Sequence, residues 1–232
     1  MGFFSKEQCT FCDNKVGYLS RKKLVNNEGY ICKECEKNCS SLINISHYTK
    51  KELERHIEYM KKQNRLFNEE FKSIEKKNKD SFMCISSGVE FSDELAMFTF
   101  ISPEVNKKNY KELFRYDQIR KYEPYFIENP KGYKGKKYAE VGMLIRLKCL
   151  RSKYGDPNFT QKIVKDGDRS YNPYVHKMKV PISRDTDNKE DYKVLKEKLD
   201  QIFEKNKQSD VYSKIADRVE ERVLGEDNLL AS

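Results

Sequence analysis

The chain has 232 residues, enough for one ordinary domain and a small companion, and 36% of them are charged. Fifteen Tyr and thirteen Phe exclude an intrinsically disordered polymer, which avoids aromatics, so the expectation is a modest core under a very polar surface. A formal net charge of +9 favours acidic protein partners, nucleic acid or an anionic membrane surface without choosing among them, and a composition rich in Lys, Asn, Tyr and Ile yields the same charge with no function attached.

The start, Met1-Gly2-Phe3-Phe4-Ser5-Lys6, lacks an apolar run of signal-peptide length, and Lys6 breaks the myristoylation pattern. No stretch of about 18 apolar residues offers a membrane span. The cysteines number seven, an odd count grouped in CxxC pairs, which fits metal binding better than a disulfide framework. The expected compartment is the cytoplasm, where thiols stay reduced.

Cys9-Thr-Phe-Cys12 and Cys32-Lys-Glu-Cys35, nineteen residues apart, form the strongest motif. A two-residue gap turns the backbone back, so that two thiolates reach adjacent corners of a tetrahedron. Asp13 to Gly17 reads as a knuckle turn ending in a flexible glycine. Tyr18, Leu19, Leu24, Val25, Tyr30 and Ile31 suggest a hairpin around Asn26-Asn27-Glu28-Gly29. Cys32 and Cys35 are expected to open a short helix whose free N–H groups stabilise the thiolates. So small a module cannot bury enough apolar surface to fold alone, and one structural zinc would contribute on the order of 10 kcal/mol. Four thiolates close the coordination shell, which argues against metal catalysis. Cys39, one helical turn beyond Cys35, and His47 are alternative ligands. Cys84 and Cys149 lie in apolar runs and read as small core residues.

Thr49-Lys-Lys-Glu52 matches a capping box. Leu53, Met60, Phe67 and Ile74 then recur every seven residues, with Ile57, Asn64 and Phe71 in the second seam position. The pattern predicts an amphipathic helix over 49–79. Its stripe either packs on the following domain or pairs with a second copy, Asn64 setting the register.

From residue 82 the period becomes two. Strands are expected at Phe82–Ile85, Val89–Phe91, Leu95–Ile101, Leu113–Tyr116, Ile119–Phe126, Val141–Leu150 and Tyr174–Ile182. Ser87-Gly88, Ser102-Pro103, Asn129-Pro130, Gly155-Asp156-Pro157 and Asp166-Gly167 mark turns. A helix over Lys189–Lys205 presents Tyr192, Leu195, Leu199, Ile202 and Phe203 on one face and closes a small barrel or sandwich. A last helical stretch carries Val211, Ile215 and Val219 on one side, before a frayed end at Gly225–Ser232.

The segment Glu112 to Tyr125 resembles the strand–turn–strand of bacterial pleckstrin-homology-like and GRAM-like domains, matched at Tyr116, Asp117 and Ile119. On that resemblance Asp117 bonds turn N–H groups and Ile119 enters the core. With the Cys9–Cys35 finger and the helix from Thr49, the chain resembles an uncharacterised family of short bacterial and phage proteins. Those carry an N-terminal four-cysteine domain followed by a pleckstrin-homology-like region. The resemblance implies a zinc-binding fold and transfers no catalytic residue. The fold class is therefore α+β. A small zinc-ribbon or treble-clef-like finger occupies 1–45 and a long connecting helix 46–80. An antiparallel PH-like β-domain with its closing helix follows at 81–207, then a short helix and tail at 208–232.

Between Lys131 and Lys153 lie Lys131, Lys134, Lys136, Lys137, Arg146, Lys148, Arg151 and Lys153, against the single acid Glu140. Alternation puts Met143, Ile145, Leu147 and Cys149 inward, with Arg146 and Lys148 outward. Such a basic hairpin either binds phosphate or nucleic acid, aided by Tyr133, or is a solvated edge guarded by charge.

Catalytic motifs are missing. There is no GxSxG, Walker loop, HExxH or GxGxxG, and the three histidines His47, His56 and His176 lack metal-ligand spacing. The acids of Gly155-Asp156-Pro157 and Asp166-Gly167-Asp168 are explained by turn formation. The leading reading is a zinc-anchored, non-enzymatic interaction protein whose β-domain binds a protein or an anionic ligand. A nucleic-acid-binding accessory protein, using Lys131–Lys153 and Arg21-Lys22-Lys23, is the alternative. An enzyme with an unrecognised site is the third reading.

Overall fold

The computed structural model describes residues 7–130, 135–148 and 174–225. The finger begins with β1 (Glu7–Gln8) paired antiparallel to β2 (Lys15–Val16), and continues with β3 (Arg21–Lys23) paired to β4 (Tyr30–Cys32). The connection between β3 and β4 places Asn26, Asn27 and Gly29 at φ 56°, 59° and 110°. Asparagine and glycine are the residues that tolerate this left-handed region, which explains the Asn-Asn-x-Gly sequence. Tyr18 and Leu19 were expected in the hairpin. They instead form a 3-10 turn closed by the Ser20 N–H on the Gly17 carbonyl (3.1 Å), and are 66% and 96% exposed. Helix α1 (Lys33–Glu36) follows.

Helix α2 (Lys50–Glu69) starts where the capping box predicts. The Glu52 N–H donates to Thr49 Oγ1 (3.2 Å), and the Thr49 N–H donates to Glu52 Oε2 (2.9 Å). The expected helix over 49–79 is too long by ten residues, because Glu69 is its last residue. Phe71 is fully buried, and the chain reaches its site by a 3-10 turn (Phe71–Ser73) in which the Ser73 hydroxyl donates to the Glu70 carbonyl (2.7 Å). Beyond Ile74, residues 75–79 offer no apolar side chain to extend a buried stripe. Leu53, His56, Met60, Gln63 and Leu66 are buried within this chain. Asn64 Oδ1 accepts the Lys111 N–H (3.0 Å), an intramolecular contact.

The β-domain is two antiparallel meanders. The first has β5 (Asp80–Cys84), β6 (Ser87–Ser92), β7 (Met97–Ile101) and β8 (Phe114–Arg115), in that order. The short helix α3 (Pro103–Asn106) lies between β7 and β8, capped by Ser102, whose hydroxyl accepts the Val105 N–H (3.1 Å). The second sheet is ordered β11-β10-β9, with β9 (Ile119–Glu128), β10 (Tyr138–Leu147) and β11 (Lys177–Thr186). Strand β11 lies against β5 and β6. Helices α4 (Lys193–Gln208) and α5 (Val211–Leu224) complete the fold.

Alternation places Phe91, Phe98, Phe114, Ile119, Met143, Ile145, Met178 and Val180 between the sheets, where Leu195, Leu199 and Ile202 of α4 seal them. On the other side of the first sheet, Leu66 and Phe71 meet Leu95, Met97 and Leu113, together with Ala216, Val219 and Val223 of α5. The face of α5 turned inward carries Tyr212, Ala216, Val219 and Val223, with Ile215 partly buried against the core, while Val211 stays exposed. Met143, Ile145 and Leu147 point inward as expected, and Cys84 is buried. Cys149, the turns at 155–157 and 166–168, and most of the tail (residues 226–232) lie outside the described residues.

The turn assigned to Ser87-Gly88 falls instead at Ile85-Ser86, since Cys84 pairs with Ser87. Gly88 serves close approach, because a Cβ there would come 2.1 Å from the Phe82 carbonyl oxygen. Ile85 is left-handed (φ 58°) and exposed. A β-branched residue is strained there, so Ile85→Gly is expected to raise stability by up to about 1 kcal/mol in urea melts.

Candidate metal centre

The ligand atoms of Cys9, Cys12, Cys32 and Cys35 all lie within 4.8 Å of one another. Zinc–thiolate bonds of about 2.3 Å arranged tetrahedrally require sulfur–sulfur edges of about 3.8 Å. The Cys12–Cys32 edge is 3.7 Å. The set fits a zinc ion in both donor chemistry and size. Each pair is brought in by local structure. Asp13, left-handed at φ 57°, and the Asp13 N–H on the Cys9 carbonyl (2.9 Å) fold the first CxxC back. Gly17, expected to supply that turn's flexibility, is extended at φ −74°. Cys32 is the N-cap of α1, its sulfur accepting the Cys35 N–H at 3.3 Å, and the Cys32 N–H donates to Cys9 Sγ at 3.3 Å. Cys9 and Cys32 are buried, Cys35 is half-buried, and Cys12 is exposed.

Burial raises the Cys9 thiol, but N–H groups of Phe11, Cys32 and Cys12 outweigh it and bring its pKa down to about 7. Burial pushes Cys32 and Cys35 up. A divalent cation changes this balance by replacing the protons. Zinc affinity is therefore expected to rise with pH, by about a thousandfold per unit between pH 6 and 8, as three to four protons leave. Competition against a chelator at several pH values measures the slope, and a slope near zero contradicts thiolate ligation.

Neither alternative ligand joins the sulfur cluster. Cys39 is buried among Leu24, Ile31, Ile45, Tyr48 and Leu53, and burial pushes its thiol up to about 12. His47 Nε2 lies 3.0 Å from Asn44 Nδ2 on the surface.

The finger is fastened to the rest of the chain. The Asn109 N–H donates to the Lys37 carbonyl (2.9 Å), Lys108 Nζ to the Glu36 carbonyl (3.0 Å), and Ser40 Oγ to the buried Glu112 Oε2 (2.7 Å). His56, invisible to spacing rules, completes this seam. Its Nε2 accepts the Ser40 N–H (3.0 Å), which puts the proton on Nδ1, and the ring meets Tyr174 edge-on at 4.4 Å. Burial, then Lys108, pushes His56 down to about 3, so it stays neutral.

Among the described residues, two of the basic side chains are engaged by acids of this chain. Lys136 pairs with Asp187 (2.9 Å) and Arg146 with Glu123 (2.8 Å), while the Lys148 N–H donates to the Gln118 carbonyl (2.7 Å). Lys137 Nζ lies 5.5 Å from the Tyr138 ring centroid. Lys131, Tyr133, Lys134, Arg151 and Lys153 lie outside the described residues. In the finger, Lys22 pairs with Glu36 (2.8 Å) and Arg21 approaches Glu7 (3.7 Å).

A second polar centre escaped the sequence reading. Arg115 is buried and reaches Asp117 through both oxygens (3.0 and 3.0 Å), Asp217 (2.6 Å), Glu220 (3.1 Å) and Ser213 (3.2 Å). Asp117, expected to serve the turn, is also bound by this guanidinium, and Ile119 enters the core as expected.

The paired CxxC hairpin and helix N-terminus, with their four convergent sulfurs, define a zinc-finger-like module. Residues 7–56 match the family model of a domain of unknown function, DUF4428. No curated protein and no solved structure matches the chain. Among the described residues, no helix is long and apolar enough to cross a membrane.

Proposed function

We propose that the chain is a non-enzymatic, zinc-anchored interaction protein of the cytoplasm. One structural zinc at Cys9, Cys12, Cys32 and Cys35 holds the finger, which braces a PH-like β-domain that binds a protein or an anionic ligand. The observation that carries this reading is the sulfur cluster itself. Four ligand atoms lie within 4.8 Å of one another, and four thiolates would fill a tetrahedral zinc shell, with no position left for substrate. Two antiparallel meanders closed by α4 support the pleckstrin-homology-like assignment. The commitment of Asp117, Asp217 and Glu220 to Arg115, and of His56 to the core, supports a non-catalytic role.

The nucleic-acid reading is weaker, because Lys22, Lys136 and Arg146 are each neutralised by an acid of this chain. Gel shifts across a salt series, run beside pull-downs with zinc-loaded protein, test the choice. The expected result is no retained nucleic acid at about 150 mM salt and capture of a protein partner. Nucleic-acid binding that weakens steeply with salt, and fails when Lys136 and Arg146 are replaced, would transfer the assignment.

A further inference from the structure

We propose that a cleft between the two sheets binds a small molecule in which a flat ring carries one anionic group, a carboxylate or a phosphate ester. This rests on the reading of the β-domain as a binding module and names its ligand.

The cleft has a volume of 270 Å³ and opens where β11 passes the first sheet and Ser41 brings the chain down from the finger. That is just below the range of drug-sized pockets, of roughly 300 Å³ and more, and suits a single ring. Phe100 and Tyr125 supply apolar wall. Tyr125 is held in place: its hydroxyl donates to Glu140 Oε1 (2.7 Å), and its ring covers Gly142 on the neighbouring strand. A Cβ at residue 142 would come 2.7 Å from the ring and 2.4 Å from the Val180 carbonyl oxygen, so only glycine permits this wall.

Besides the carboxylates of Glu140 and Glu104, the polar lining carries donors that no acceptor of the described residues engages. Glu140 is used twice, by Tyr125 and by Arg184 Nε (3.2 Å). The terminal nitrogens of Arg184 meet no acceptor among the described residues. Lys179 Nζ stands 5.2 Å from the Tyr125 ring centroid and pairs with no carboxylate among the described residues. Ser41 and Ser87 also line the cleft, and their hydroxyls make no hydrogen bond among the described residues. Two cations and two hydroxyls around an aromatic wall call for an acceptor-rich anion with a ring to lie on Tyr125. Glu104, exposed on the lining, opposes a polyanion, which selects one anionic group.

Titration of the zinc-loaded full chain with phenyl phosphate, benzoate and neutral benzyl alcohol, followed by NMR, tests this. One or both anions should bind and the alcohol should not, and comparing the two anions separates phosphate from carboxylate. Lys179→Met and Arg184→Gln, at exposed positions, should each weaken binding about tenfold with zinc content unchanged. The proposal is overturned if neither anion binds at about 10 mM, if the alcohol binds equally, or if both variants bind like the parent. Partner capture that survives in both variants, alongside such a failure, would sink the cleft and leave the interaction-protein reading standing.

Discussion

Replacing Cys32 by Ser is expected to abolish stoichiometric zinc binding and unfold the finger. Cys32 has three roles at once. It is a ligand atom, it caps α1 through its sulfur, and its N–H stabilises Cys9. A serine oxygen is a poor zinc ligand at neutral pH, and the shorter side chain cannot reach the same corner. The lost site energy, on the order of 10 kcal/mol, exceeds the stability of most small domains. The finger core of Leu24, Ile31, Cys39 and Ile45 is too small to persist without it. Cys12→Ser should also lose zinc, although Cys12 is exposed and buries no apolar surface. Elemental analysis and circular dichroism read both outcomes. Full zinc content in either variant contradicts the assignment.

Replacing Arg115 by Met is expected to cost about 3–5 kcal/mol, because it strands acids around an empty centre. Asp117, Asp217 and Glu220 converge on one guanidinium, so the cluster is already acid-rich. Burial raises Glu220 from 4.5 to about 7, Arg115 working against burial and Asp217 with it. Its folded-state pKa therefore exceeds its unfolded one, and folding favours the protonated acid. That contribution is complete below about pH 4.5 and disappears as pH rises to about 7. Glu220→Gln should flatten stability across this window and exceed the parent above pH 7 by about 2 kcal/mol. Arg115→Met should steepen it. Urea denaturation at pH 5, 6, 7 and 8 distinguishes the three proteins, and parallel curves for all of them would contradict the network.

What the sequence disclosed was what neighbouring residues decide. Each CxxC is local, so the ligands were readable from spacing, and so was the Thr49–Glu52 cap. Strand alternation marked Met143, Ile145 and Leu147 as inward. The end of α2 was not readable, because a docking event decides it. Phe71 keeps the seven-residue spacing but is captured against Met97 and Val219 by a turn. Arg115 lies within β8, and nothing in the neighbouring sequence marks it as a buried centre. Two of its partners lie 102 and 105 residues away on α5, and no local pattern links them. The Ser87-Gly88 assignment erred because glycine marks close approach as well as turns. DUF4428 covers the finger and the first turns of α2, the part whose pattern is densest.

A metal held by the four cysteines is proposed to set the shape of residues 7–56, which Lys37 and Ser40 bond to Asn109 and Glu112 and His56 packs against Tyr174. Hydrogen exchange with mass spectrometry, before and after zinc is chelated, tests it most directly. Protection should collapse across the finger and weaken at residues 107–113, while β10 and α4 keep theirs. Unchanged exchange in the finger after complete metal removal would contradict it.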